Sequence, residues 1–291
     1  MDQRLEDVMA LLQLEQLEVN LFRGDSRDIG SPQVFGGQVL GQALKAAYAT
    51  VDPDRVAHSL HAYFLRRGDF DAPIVYFVDR SRDGQSFTSR RVTAIQHGEQ
   101  IFNMAASFQL PQSGVEHQLA MPPVPAPETL TDPAIPSART LDQLPGRMRE
   151  FYARARPFEF RRVEPIDLAR PQKAPPLQHI WFRAVDRLPD DDALHRCLLA
   201  YASDFYLLST SMLPHALQAL SGNVIHASID HAMWFHWPLR VDEWLLYAID
   251  SPSASGSRGF SRGSVFTRDG RLVASTAQEG LVRVVTAPAG A

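Results

Sequence analysis

One carboxylate in this sequence lies where helical spacing calls for an apolar side chain. A helix over residues 191–212 would place positions 197, 200, 201, 204, 207 and 208 on one face, and these read Cys, Ala, Tyr, Asp, Leu and Leu. Burying an ionised group without partners is costly. Asp204 therefore either accepts hydrogen bonds from a nearby loop or performs a function, such as taking a proton from water.

Two neutral polar residues of the same half could act beside this carboxylate. Ser228 lies at the start of a strand-like run, 227–235, and Gln278 lies near the end of another, 273–280. Burial disfavours the charged form of a carboxyl group, which makes a carboxylate a better general base near neutral pH. Taken singly, each polar residue is of a type more often found as an ordinary strand-end residue. The residues alone leave their role open.

Motifs of other enzyme classes do not account for the sequence. The stretch 255–259 has the wrong spacing for the nucleophile elbow of a serine hydrolase, and 36–41 (GGQVLG) has the wrong spacing for a dinucleotide-binding loop. We also find no Walker loop and no His-Glu-x-x-His motif. No metal or organic cofactor is expected.

The positions of the histidines and the cysteine give no indication of a metal site. The pairs His58 with His61 and His231 with His236 would fall on opposite faces of a strand, so we interpret them as unrelated structural histidines. Cys197 is the single cysteine, which excludes a cysteine-rich zinc site and an intramolecular disulfide. A reducing compartment fits this usage.

Length and composition predict a globular protein with a substantial core. The chain has 291 residues, 45% of them apolar, with 29 Lys and Arg against 33 Asp and Glu. No basic run with interleaved aromatics is found, so nucleic acid is not an expected partner. The N-terminus (MDQRLE) is too charged for a signal peptide, and no apolar stretch is long enough to span a bilayer. We expect a cytoplasmic protein without membrane insertion.

A weak internal repeat, with a spacing of roughly 170 residues, indicates a duplicated domain. The corresponding segments are 61–64 (HAYF) with 231–234 (HAMW), 90–98 with 261–270, and 107–109 (SFQ) with 276–278 (TAQ). Each copy predicts a helix followed by strands: a first helix over 35–47, and a second that begins after the aspartates 190–192 and runs to about residue 212. Hairpin turns are predicted at 97–99 and 268–271, where glycine permits a positive φ.

Between the copies, residues 111–176 hold thirteen of the 21 prolines, a density that blocks helix interiors and central strands. A short helix near 143–154 and a strand within 159–168 are expected there. We predict an α+β protein with an N-terminal domain (1–115), a proline-rich linker (116–157) and a C-terminal domain (158–291). Each domain would be a helix wrapped by a curved antiparallel sheet.

Several longer segments resemble the bacterial acyl-CoA thioesterase II family. They are 21–24 (LFRG), 33–44 (QVFGGQVLGQAL), 58–66 (HSLHAYFLR), 84–92, 201–204 (YASD), 229–236 (IDHAMWFH) and 274–280 (ASTAQEG). The matches extend from about residue 20 to residue 285, with the proline-rich middle excepted. The resemblance implies a double hot-dog fold in one chain, with acyl-CoA as the substrate.

The family resemblance also assigns catalytic residues. An Asp on the long helix of the second domain, a Thr on one strand and a Gln on another activate water in that family, and these positions correspond to Asp204, Ser228 and Gln278. Ser228 departs from the usual Thr but keeps the hydroxyl, with a freer χ1 rotamer. The resemblance thus implies hydrolysis of medium- to long-chain fatty acyl-CoA by direct attack of water. We expect Arg258 to contact the coenzyme A phosphates.

Two other functions remain open from the sequence. A hot-dog acyl-CoA hydratase or dehydratase would use a His with the Asp, and no His shares the predicted helix face of Asp204. A non-catalytic acyl-CoA binding protein would result if Ser228 had disabled hydrolysis. Association into a homodimer or homotetramer is compatible with the sequence.

Overall fold

The first half of the chain consists of one long helix and an antiparallel sheet. This computed structural model describes residues 1–31, 33–130 and 138–285. The elements of the first half are α1 (Gln3–Leu11), β1 (Glu15–Glu18), β2 (Leu21–Gly24), α2 (Gly36–Tyr48), β3 (Val56–Phe64), β4 (Ile74–Asp83), β5 (Phe87–Gln96) and β6 (Glu99–Gln109). Helix α2 confirms the helix predicted over 35–47.

The second half repeats this order after the proline-rich segment. Its elements are α3 (Ala138–Leu141), α4 (Gly146–Ala153), β7 (Phe158–Arg162), β8 (Leu177–Ala184), α5 (Asp192–Ser203), α6 (Leu207–Thr210), β9 (Val224–Ser228), β10 (Asp230–Phe235), β11 (Leu245–Ser255), β12 (Arg258–Thr267) and β13 (Leu272–Val284). Two short 3₁₀ helices lie at Pro127–Thr129 and Leu213–His215. Helix α4 corresponds to the short helix predicted near 143–154.

The thirteen strands found in the described part of the chain join one antiparallel sheet, and the two halves of this sheet meet at β3 and β10. The strand order is β1-β2-β4-β5-β6-β3-β10-β13-β12-β11-β8-β7, and β9 also pairs with β13. Counted outward from the junction, each strand of the first half has a counterpart at the same place in the second half. The pairs are β3 and β10, β6 and β13, β5 and β12, β4 and β11, and β2 and β8. The three repeat segments begin on the matched pairs β3 and β10, β5 and β12, and β6 and β13. The tertiary structure therefore confirms the duplication.

The two long helices, α2 and α5, pack against each other and against strands of the sheet. Small residues permit this approach: a Cβ at Gly37 would collide with the carbonyl oxygen of Tyr201, and one at Gly41 would lie 3.1 Å from the carbonyl oxygen of Cys197. Asp191 caps α5 as predicted, since its carboxylate accepts a hydrogen bond from the Leu194 N–H at 3.1 Å.

The predicted continuous helix over 191–212 is wrong. Helix α5 ends at Ser203, and Asp204 is its C-cap residue. Tyr206 has a φ of 68°, in the left-handed region that a helix interior does not allow, and α6 starts afresh at Leu207. The apolar stripe predicted the burial of Asp204 but could not reveal a break, because periodicity reports the facing of side chains rather than backbone continuity.

The strand predictions around the polar residues also need correction. Ser228 ends β9 instead of starting a strand, and Gln278 lies inside β13, which continues to Val284. Ser228 pairs with Gly280 while Ala232 pairs with Ala277, so four steps along one strand oppose three along the other. This one-residue bulge between β9 and β10 redirects the side chains beside it.

Both predicted turns are confirmed, and the described residues of the predicted linker, 116–130 and 138–157, include no strand. His97 and Gly98 have φ angles of 51° and 77° between β5 and β6, and Gly270 has a φ of 89° between β12 and β13. Within the predicted linker and C-terminal domain, residues 131–137 and 286–291 lie outside the described residues. None of the helices in the described ranges has the length and apolarity needed to cross a bilayer.

Candidate active site

Asp204 is held in a nearly closed environment between the two long helices. Its side chain is 6% exposed. Its Oδ2 accepts a hydrogen bond from the Gly37 N–H at 2.9 Å, in the first turn of α2. A helix N-terminus carries free N–H groups and a partial positive charge, both of which stabilise a carboxylate. This contact supplies the backbone donor that a buried aspartate needs, and the donor belongs to a helix in the other half of the chain instead of a nearby loop.

The tertiary structure brings Ser228 and Gln278 to the same carboxylate. Gln278 Nε2 donates to Asp204 Oδ1 at 2.8 Å. The Ser228 hydroxyl donates to the same oxygen at 3.4 Å, a long contact for an O–H donor. The amide orientation follows from chemistry, because an ionised carboxylate accepts hydrogen bonds and cannot donate one. The three residues predicted to be catalytic therefore form one cluster.

His231 is the member of this cluster that the sequence analysis missed. It is fully buried on β10, and Gln278 Nε2 lies 3.1 Å from its Nδ1. The distance from Nδ1 to Asp204 Oδ1 is 4.0 Å. A signal was available: His231 shares its strand face with the buried Met233 and Phe235, as Asp204 shares its face with apolar residues. The sequence analysis weighed His231 only as a partner of His236 for metal and did not place it beside Gln278 and Asp204.

Burial shifts the pKa of two titratable groups beside the cluster, His231 and Tyr247. Desolvation lowers the pKa of His231 to about 4, and the Asp204 carboxylate opposes this shift. Burial likewise raises the pKa of Tyr247, whose hydroxyl donates to the carbonyl oxygen of Ser203 at 3.1 Å. The imidazole beside the carboxylate is therefore neutral at neutral pH, and the tyrosine keeps its proton.

A cavity of about 360 Å³ opens beside Asp204. Its lining is largely apolar and aromatic, and includes Phe35, Phe151, Phe205, Tyr206, Leu208, Met212 and Leu217. A second cavity of about 60 Å³ shares Gln33, Val34, Gly36 and Ser228 with the first. The carboxylate therefore lies near the junction of a larger apolar space and a small one.

Two arginines also line the larger cavity. The Arg156 guanidinium lies over the Phe151 ring at 4.3 Å, and that of Arg162 lies over the Tyr206 ring at 4.5 Å. Such stacking partly offsets the cost of burying a cation. The mainly apolar wall thus includes two positive charges.

Arg258 lies apart from the cluster. It is the first residue of β12, is exposed, and its Nε donates to Glu279 Oε1 at 2.8 Å. It lines neither of the two cavities. The structure thus unites three of the four predicted site residues and leaves the fourth on the surface.

Residues 259–263 (GFSRG) do carry the Gly-x-Ser-x-Gly pattern, which the sequence analysis overlooked. They lie entirely within β12, whereas a nucleophile elbow requires a sharp turn from a strand into a helix. Ser261 is directly opposite Gln278 on the neighbouring strand. The pattern is therefore part of the sheet and not an elbow. Across the described residues, no group of three or more His, Cys, Asp or Glu side chains is arranged to hold a metal ion.

Comparisons with known proteins agree with this architecture. Residues 23–109 match the model of the acyl-CoA thioesterase N-terminal domain, and residues 155–281 match that of acyl-CoA thioesterase. A conserved protein of unknown function with a hot dog fold, from Alicyclobacillus acidocaldarius, aligns with a TM-score of 0.77 at 20% identity, covering 96% of this chain and 99% of its own. The fold is a double hot-dog.

Relatives with higher identity are thioesterases. Acyl-CoA thioesterase 2 of Haemophilus influenzae is 43% identical over 279 residues, which cover 96% of this chain and 98% of the relative. The crystal structure of an acyl-CoA thioesterase II from Mycobacterium marinum is 47% identical with a TM-score of 0.78, covering 96% of this chain and 99% of that one. The chain belongs to the acyl-CoA thioesterase family.

Proposed function

We propose that this chain hydrolyses fatty acyl-CoA by direct attack of a water molecule for which Asp204 is the general base. The observation that carries the proposal is the convergence on one buried carboxylate of the Gln278 amide, the Ser228 hydroxyl and the Gly37 N–H. A carboxylate offers about four lone-pair sites, and these three donors leave about one for a water O–H.

The chemical step uses only water and the thioester. The water oxygen attacks the carbonyl carbon while its proton passes to Asp204, which gives a tetrahedral intermediate. The carbon–sulfur bond then breaks, and the departing thiolate takes the proton that Asp204 holds. The products are a free fatty acid and coenzyme A. While its hydrogen points to Asp204, the Ser228 hydroxyl oxygen keeps lone pairs that can accept a hydrogen bond from the water, and Gln278 fixes the carboxylate.

The N-terminus of α2 is suited to stabilise the oxyanion. Gly36, its first residue, lines both cavities, and the N–H at such a position has no acceptor within the helix. Both N–H groups of Gln278 are used by Asp204 and His231. The Gly36 N–H is therefore the donor we assign to the developing negative charge.

The largely apolar lining of the larger cavity suits a fatty acyl group. We assign to it a broad specificity for medium to long chains, because its walls are built mainly from side chains without hydrogen-bonding groups. Arg258 is exposed and remains our candidate for contact with the coenzyme A phosphates.

Three broader proposals accompany this function. The domains are residues 1–115 and 158–291 with a linker over 116–157, the location is the cytoplasm, and the assembly is a homodimer or homotetramer. Cys197 is the single cysteine and is a free thiol, which supports a reducing location such as the cytoplasm. Analytical ultracentrifugation of the purified chain tests the assembly.

Release of free thiol from acyl-CoA of several chain lengths tests the function. Asp204→Asn removes the base, and we expect kcat to fall about 100- to 10,000-fold. Asp230→Asn is a matched control, since Asp230 is a half-buried carboxylate two residues beyond Ser228 that accepts from the Glu279 N–H at 2.6 Å. Equal activity of Asp204→Asn and wild type would refute the proposal. Water addition to an enoyl-CoA without thiol release would indicate a hydratase, and acyl-CoA binding without turnover a binding protein.

A further inference from the structure

His231 lies directly behind the amide of Gln278, away from the cavities. The Gln278 Nε2 carries two hydrogens and has two acceptors within reach, Asp204 Oδ1 at 2.8 Å and His231 Nδ1 at 3.1 Å. The side chain of His231 is 0% exposed and it lines neither cavity. It therefore does not contact the substrate, and any role it has runs through its neighbours.

The hydrogen bonds define one tautomer of the imidazole. Nδ1 accepts from Gln278, so it carries no proton, and the ring proton is on Nε2. Nε2 lies 3.0 Å from the Ser203 hydroxyl oxygen, and that hydroxyl donates onward to the Ala200 carbonyl oxygen at 2.9 Å. These hydrogen bonds all run in one direction: Gln278 donates to His231, His231 donates to Ser203, and Ser203 donates to the backbone of α5.

We propose that His231 is a positioning residue: its neutral Nδ1 holds the Gln278 amide in the orientation that donates to Asp204. Without that acceptor, one N–H of the buried amide has no partner, and rotation of the amide would turn Oε1 toward the carboxylate. Two oxygens facing each other would push Asp204 out of line with the water. This inference rests on the proposed hydrolysis and adds a residue to it.

The surroundings of the ring support a neutral acceptor. From the elements packed around it, α5 contributes Ser203, the following residue is Asp204, β13 contributes Gln278, and the paired residue on β3 is Ala62. Asp204 is the charged group among these, and burial outweighs it, because the pKa of His231 is lowered to about 4. The ring therefore remains an acceptor throughout the neutral pH range.

Two substitutions separate positioning from packing. In His231→Asn the amide oxygen can occupy the place of Nδ1 and accept from Gln278, whereas His231→Phe fills the space without an acceptor. We expect kcat of the Phe variant to fall about tenfold or more, with KM within about threefold, and kcat of the Asn variant to stay several-fold above that of the Phe variant. His236→Asn is the control and should match wild type, because His236 directly follows β10 and its Nε2 is hydrogen-bonded to the Ser275 hydroxyl instead.

A double-mutant cycle makes the test specific. In a Gln278→Ala background, His231→Phe should lower kcat no further, because its effect acts through the missing amide. Equal kcat for His231→Phe and wild type, a loss confined to KM, or a full additional loss in the Gln278→Ala background would each overturn the proposal.

Nitrogen-15 spectra of the wild-type protein test the tautomer without any turnover. A protonated Nε2 and an unprotonated Nδ1 at neutral pH are expected, and the reverse assignment would overturn the proposal. Absence of thiol release by the wild type would instead refute the hydrolytic function, so the two failures are distinguishable.

Discussion

The Nε2 atom of Gln278, on β13, lies 2.8 Å from Oδ1 of Asp204, at the end of α5, although 74 residues separate the two in the chain. This contact places an amide donor against a carboxylate that is 6% exposed. A charge-assisted hydrogen bond of this kind is stronger than one between neutral groups. It orients the carboxylate and defines which of its lone pairs remain for water.

Replacing this amide by a carboxyl group should disable the site. Gln278→Glu would bring two carboxylates within hydrogen-bonding distance, where they cannot both ionise, so one would hold a proton near neutral pH. We expect kcat to fall about 100-fold, as measured by thiol release. Gln109→Glu is the control, because Gln109 is the counterpart of Gln278 in the first half and lies outside both cavities. Unchanged kcat in Gln278→Glu would contradict the assigned role.

Substitutions of Ser228 should separate its hydroxyl from its rotamer. Ser228→Ala removes the hydroxyl near Asp204, and we expect kcat to fall about tenfold, since a hydrogen bond to a charged group is worth about 1.5 kcal/mol. Ser228→Thr keeps the hydroxyl and restricts χ1, so its kcat should equal or exceed that of wild type. Steady-state kinetics on one acyl-CoA measures both. A Thr variant as impaired as the Ala variant would argue against a role for the hydroxyl.

The space beside Gly36 should not accept even a methyl group. A Cβ there would lie 2.7 Å from Asp204 Oδ2 and 3.0 Å from the Phe64 ring. Gly36→Ala should therefore displace the carboxylate, with a loss of kcat of at least about tenfold, while thermal unfolding shows a cost of about 1–3 kcal/mol. Gly146→Ala is matched, because a Cβ at Gly146 meets nothing within 4 Å. Normal activity in Gly36→Ala would show that this close approach is unimportant.

Stability should depend on pH through His231. Its pKa is lowered from 6.5 to about 4 in the folded protein, so between these values the unfolded chain binds more protons. The free energy of unfolding should therefore fall as the pH drops from 6.5 to 4, with a share from this fully buried group of about 3 kcal/mol. Urea unfolding at several pH values measures the slope, which should be shallower in His231→Asn. An identical slope in both proteins would contradict the prediction.

Removing the charge of Arg258 should raise the KM only for substrates that carry the coenzyme A phosphates. Arg258→Gln should raise KM for an acyl-CoA several-fold, leave kcat unchanged, and leave the KM for the matching acyl-pantetheine unchanged, because the latter has no phosphate. Glu279→Gln removes the ion-pair partner of Arg258 and is the control for local disturbance. A KM for acyl-CoA equal to that of wild type would remove Arg258 from the substrate site.

Much of the fold was predictable from the residues because local patterns encode it. The order of helix before sheet, both glycine-containing turns and the Asp191 cap follow from spacing or turn chemistry within a few residues. The duplication follows from the similarity of two segments of the chain, which also needs no tertiary contact to detect. The break after Asp204 and the bulge after Ser228 were not predictable. Both depend on pairing with distant segments, which periodicity does not report.

By itself, the sequence determined that Asp204 had to be a buried carboxylate, because its helical neighbours are apolar, and its resemblance to a family nominated Ser228 and Gln278. Only the tertiary structure decided what surrounds that carboxylate. The Gly37 N–H comes from the first half of the chain, and His231 reaches the site from a strand at the junction of the half-sheets. Donors and acceptors act over about 3 Å, and the folding of distant segments sets which of them come that close.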